Sequence, residues 1–152
     1  MQEIARIQDQ LQRAYDGKAW HGPSLCALLA DVTAAKAAAK PIPSAHSIWE
    51  LVLHIIAWEK VVVRRLGGET VTYIPDEEDF PSVVDVSELA WQRTRGELAS
   101  AHKEMQDAIG KLGEERLNEK LPGKSGSVYS NIHGVIQHNL YHAGQIAILK
   151  KA

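Results

Sequence analysis

His138 and His142 stand four residues apart in SVYSNIHGVIQHNLYHAGQIAILKKA, a strongly apolar stretch of helical period. Four residues advance a helix by about 400°, so the two rings lie one turn apart and offset by about 40°. Two imidazoles placed in that way can chelate a cation. Seven histidines in 152 residues would produce about 0.3 such pairs by chance, so the pair gains weight only from its context. A third histidine, His54, sits in the middle of SIWELVLHIIAWEKVVVRRL, where a solvated side chain is out of place. Two neutral imidazoles buried side by side leave ring nitrogens without partners, whereas one divalent cation takes a nitrogen from each. The set His54, His138 and His142 therefore points to a metal site with open coordination positions, the pattern of a reactive or exchangeable centre. Imidazole ligands suit zinc, nickel, iron or copper, with zinc or nickel foremost. The residues alone leave one alternative standing, neutral histidines packed in a core with a nitrogen on a carbonyl.

The other histidines read differently. His21 follows Trp20 in a loop, His46 precedes a helix cap, and His133 lies about 140° around the helix from His138, so all three read as surface or supporting residues. His102, between Leu98 and Met105 on an apolar face, reads as a packed core histidine. Gln145, one turn beyond His142, is placed to hydrogen-bond a ligand, and Tyr141 to line the mouth of the site. Trp20, Trp49, Trp58 and Trp91 read as packing residues. No general base is identifiable, and no basic residue stands out to bind a cofactor carboxylate.

These side chains need helices to hold them. Ile4, Ile7, Leu11 and Ala14 make an apolar stripe that stops at Gly17. Residues 20–43 read as a linker with a short helix after Pro23 and an alanine-rich turn or two after Thr33. Ser47 and Glu50 form a capping box that starts a second helix running to Leu66. Residues 69–86, with two prolines, a cluster of acids and no helical period, read as a long crossover loop in which VTYI is at most a short extended segment. A third helix starts near Ser87 and carries Trp91, Leu98, Met105, Ile109 and Leu112 on one face, and a fourth fills 128–150. The expectation is an all-α chain, one domain over 1–152, built as a four-helix bundle with a long crossover loop.

Composition narrows the function. A net charge of −2 from interspersed residues offers no basic stripe for a phosphate backbone, which disfavours nucleic acid. The longest apolar run, LVLHIIAW, is far short of the roughly 20 residues a bilayer requires. The single cysteine, Cys26, reads as a buried structural thiol in LCALLA. With a mixed-charge amphipathic N-terminus, a reducing, cytoplasmic setting and a small-molecule ligand are expected. No G-x-S-x-G, glycine-rich phosphate loop or C-x-x-C is present, leaving serine-hydrolase, dinucleotide and zinc-ribbon readings without support.

HSIWELVLHIIAWE, the EDFP loop with Trp91 after it, and IQHNLYHAGQIAILKK, in this order, make the chain resemble the DinB-like superfamily of metal-binding four-helix bundles. The resemblance implies one ligand from the second helix and two from the last, at His54, His138 and His142. It also implies a homodimer. Characterised relatives, the bacillithiol S-transferases and mycothiol-dependent maleylpyruvate isomerase, use a divalent metal with a low-molecular-weight thiol. The resemblance thus implies a thiol-dependent S-transferase acting on small electrophiles. The alternatives are a metal-dependent hydrolase using bound water and a non-catalytic bundle that holds metal or a small ligand.

Overall fold

The computed structural model describes residues 2–152, the side chain of Lys124 excepted. Four long helices follow the apolar periodicities. Helix α1 (Glu3–Tyr15) buries Ile4, Ile7, Leu11 and Ala14. Two short helices, α2 (Leu25–Leu29) and α3 (Ala34–Ala38), occupy the linker. Helix α4 (Ile48–Leu66) begins at the capping box, where the Glu50 amide donates to Ser47 Oγ at 3.1 Å and the Ser47 amide to Glu50 Oε2 at 2.8 Å. It buries residues around most of its circumference, from Ile48 to Leu66. A single-turn helix, α5 (Asp76–Asp79), precedes α6 (Glu88–Gly110) and α7 (Val128–Leu149), which start on the hydroxyls of Ser87 and Ser127.

Helix α4 packs against both α6 and α7, as does α1, so α1 faces α4 and α6 faces α7 across the bundle. The directions follow from side-chain pairs. His54 meets His138 while Arg65 bonds Asn131, so α4 and α7 are antiparallel. Trp49 donates to Thr94 Oγ1 at 2.9 Å near the start of both α4 and α6, and Leu66 lies with Leu112 at their far ends, so these two run parallel. Residues 67–87 must therefore travel the length of the bundle between them. This is an all-α four-helix bundle with a long crossover connection, and among the described residues it holds no strand.

Three expectations need correction. The crossover contains α5, which the apolar period could not reveal because the turn buries nothing; its four acids, Asp76 to Asp79, lie where the helix dipole favours negative charge. Trp20 does not pack: it is fully exposed in the tight turn that closes Ala19 onto Gly22, whose φ is +132°. Cys26 is half-buried rather than enclosed, and burial raises its thiol pKa despite the Tyr15 hydroxyl beside it. Trp91 does pack, fully buried, with its indole N–H donating to the Val32 carbonyl at 2.7 Å. No helix among the described residues is long and apolar enough to cross a membrane.

Candidate metal centre

His54 projects from the face of α4 that meets α7, and His138 and His142 project from consecutive turns of α7 toward it. Their Nε2 atoms converge, with His138 Nε2 3.0 Å from that of His54 and 3.1 Å from that of His142. Among the described residues, this is the one group of three or more His, Cys, Asp or Glu side chains whose ligand atoms come together.

The remaining ring nitrogens decide what those Nε2 atoms carry. His54 Nδ1 sits 2.9 Å from the Asp79 carbonyl oxygen and 3.0 Å from Asp79 Oδ1. It can meet those acceptors only as a donor, which leaves its Nε2 with a lone pair. The same carboxylate oxygen accepts the Trp58 indole N–H at 2.7 Å, so α4 and the crossover jointly fix the ring. His142 Nδ1 donates to Gln145 Oε1 at 2.6 Å, again leaving the lone pair on Nε2. His138 Nε2 faces both lone pairs. A single N–H there can serve one of them, so at least one of the two close contacts sets lone pair against lone pair. A cation between the three nitrogens removes the conflict. The spacing fits as well, since nitrogens ~2.1 Å from an ion and about 90–110° apart lie about 3.0–3.4 Å from one another.

Burial supports the same state. It draws the His138 pKa down to about 4, with the His142 and His54 imidazoles adding to the effect, and it lowers that of His142. Neutral imidazole is the form that ligates. Phe80, on the crossover, stacks on His54 at 4.0 Å and 5° between planes, and His46 stacks on its other face at 3.8 Å. Tyr141 stands edge-on to His142 with ring centres 5.1 Å apart, and its ring is exposed at the rim.

The carboxylate behind His54 was not identified in the sequence, where Asp79 is one acid in DEED. Its signal is weak, a carboxylate beside an aromatic in a segment without period. Ligand orientation by an outer carboxylate typically accounts for about 10–100-fold in metal affinity. Asp79→Ala is accordingly expected to weaken divalent-metal binding by about that factor, measured by competition with a chromophoric chelator. Unchanged affinity would mean that Phe80 and the α4 backbone suffice to hold the ring.

Other histidines lie apart. His102 is buried in α6, stacked on Tyr15 at 3.9 Å with Nε2 3.3 Å from Gln12 Oε1, and burial lowers its pKa to about 4. His133 packs on the Tyr129 ring at 4.3 Å, and His21 is exposed. Beside His138, a cavity of about 320 Å³ runs between α4 and α7, walled by Trp58, Val62, Gly134 and Val135 and reaching Arg65 at its other end.

An all-α bundle whose antiparallel α4 and α7 bring together three imidazoles that could hold a cation, one of them lining a neighbouring cavity, fits a class of metal-binding helical proteins. The chain belongs to the DinB superfamily, whose family model matches residues 19–146, a span holding all three histidines, Asp79 and Arg65. No curated protein and no solved structure matches the chain significantly.

Proposed function

We propose that the protein is a divalent-metal-dependent S-transferase that joins a low-molecular-weight thiol to a small electrophile. The observation that carries this reading is the convergence of three imidazole nitrogens, two fixed as lone-pair donors, with His138 of the set lining a largely apolar cavity. An ion held by His54, His138 and His142, zinc or nickel in the first instance, would supply the Lewis acidity that brings a thiol's pKa toward neutrality.

The chain's own residues do the rest. Asp79 and Gln145 hold the protons of His54 and His142 on Nδ1, so that both Nε2 atoms stay available. Phe80 and Trp58 cover the rings and keep bulk water from that side. A three-histidine set leaves coordination positions free, which separates a reactive centre from a closed structural one. In the reaction, the thiol proton passes to solvent, an S–C bond forms at the electrophilic carbon, and the C–X bond breaks with its electron pair leaving on X.

The test uses metal-loaded protein, a panel of small thiols and chlorodinitrobenzene, with chloride release and the coloured thioether as readouts. Thiol-dependent turnover that a chelator abolishes and added metal restores is the expected result. Ester or amide hydrolysis of equal rate with and without thiol would replace this reading by a hydrolase. Metal binding with neither activity would leave a binding module.

A further inference from the structure

Arg65 follows His54 by eleven residues, which at 100° per residue returns it to within about 20° of the same face of α4, about 16 Å further along. Antiparallel α7 sets Asn131 opposite Arg65 and His138 opposite His54. The cavity between the helices therefore has an imidazole end and a guanidinium end.

The guanidinium is held in place but not neutralised. Its Nε–H donates to the Val71 carbonyl at 2.9 Å and its Nη1–H to Asn131 Oδ1 at 3.1 Å, both neutral acceptors. Its neighbour Arg64 is paired with Glu69 at 2.7 Å, whereas Arg65 makes no ion pair among the described residues. Its carbon lies 5.7 Å from the centre of the Trp58 ring. Five N–H groups minus two leave donors free on a cation that burial already disfavours, drawing its pKa down. The walls between the two ends are apolar. On the α7 side the wall is opened by Gly134, where an added Cβ would meet nothing within 4 Å. A glycine inside a helix costs about 1 kcal/mol relative to alanine, and no close neighbour demands this one.

We infer that Arg65 receives the carboxylate of a small ligand whose apolar or aromatic body lies along Trp58 and Gly134 and whose far end reaches His138. One rigid guanidinium fork matches one carboxylate in charge and geometry. This substrate class rests on the S-transferase reading for its reaction, while binding at Arg65 stands on the cavity alone. The carboxylate belongs to the thiol or to the electrophile, and both sources present the same chemistry to Arg65.

Calorimetric titration with phenylacetate and its neutral isostere phenylacetamide tests the site, in metal-loaded and in chelator-treated protein. The wild type is expected to bind the acid about tenfold more tightly than the amide in both states. Arg65→Gln should bind the two equally and still take up metal like the wild type. Because Arg65 also clasps the crossover at Val71, a second variant, Gly134→Leu, keeps the guanidinium and fills the cavity; it should weaken both probes while remaining folded. Equal binding of acid and amide by the wild type, or a preference that survives in Arg65→Gln, overturns the inference. The chelated arm reads Arg65 even if no metal site exists, so failure of the metal reading and failure of this one remain distinct. The source follows from two rate comparisons, mercaptoacetate against mercaptoethanol and chloronitrobenzoate against chloronitrobenzamide. The pair whose kcat/KM advantage disappears in Arg65→Gln identifies the carrier, and an advantage independent of Arg65 in both pairs again overturns it.

Discussion

Replacing His138 and His142 together by alanine is expected to leave a folded protein that takes up no divalent metal, against one equivalent in the wild type. Removing both leaves His54 as the single imidazole of the set, and one neutral nitrogen cannot retain an ion through gel filtration. The fold should survive because the pair adds no core cluster of its own, and in metal-free protein its loss removes a contact between lone pairs. The measurements are elemental analysis of untagged protein and unfolding with and without chelator. An ion present at about 1,000 times its dissociation constant stabilises the folded state by about 4 kcal/mol. Chelation should therefore lower the wild-type midpoint clearly and leave the double variant where it was. A wild type that takes up no metal after reconstitution, with a midpoint indifferent to chelator, would return the histidines to the role of core packing.

Glu59→Gln should give a protein that is more stable than the wild type above pH ~7 and equal to it at low pH. Glu59 lies in α4 with only 1% of its surface exposed; Asn139 Nδ2 donates to its Oε1 at 2.8 Å, while Glu59 Oε2 and Asn139 Oδ1 are both buried without partners. Burial raises the carboxyl pKa from 4.5 to about 7, against the smaller opposing effect of the Asn139 bond. Between those values the folded protein keeps a proton that the unfolded chain has released. The contribution is thus complete below pH 4.5 and lost as pH rises through about 7. Glutamine never ionises, and its Nε2–H supplies the donor that Asn139 Oδ1 lacks. The advantage of the variant should grow to the order of 3 kcal/mol by about pH 8. His102 works in the opposite sense, its stabilising effect lost as pH falls from 6.5 toward about 4, but it is common to both proteins and cancels in the difference. Urea midpoints in chelator-treated protein at about pH 5 and pH 8 provide the check. A variant less stable by the same amount at both would show that the carboxylate is ionised in the fold.

The long helices were legible because burial there is periodic: α1, α4, α6 and α7 all follow an apolar stripe that helix geometry converts into a face. The same arithmetic placed His138 beside His142, and the apolar setting of His54 drew attention to it. What surrounds the imidazoles was harder to read. Asp79 reaches His54 from a segment whose course depends on α6 running parallel to α4, and nothing periodic encodes a crossover's path. Nothing in the sequence sets Arg65 apart, since Arg64 and Arg65 both suit the dipole in the last turn of α4. Its eleven-residue spacing from His54 was visible, but only the antiparallel approach of α7 turns that spacing into a cavity. Trp20 misled because size suggests burial, while the backbone turn around Gly22 carries it outward.

The 84-position separation of His54 from His138 gives the site a place in time as well as in space. A chain leaving the ribosome carries a single imidazole of the set until α7 emerges, so an ion held by all three could be loaded only after that helix has been made. An ion held there would tie α4 to α7, a removable staple across more than half of the chain. Depletion of metal would then loosen the closing helix first, and the protein's lifetime in a cell would follow the local supply of that ion.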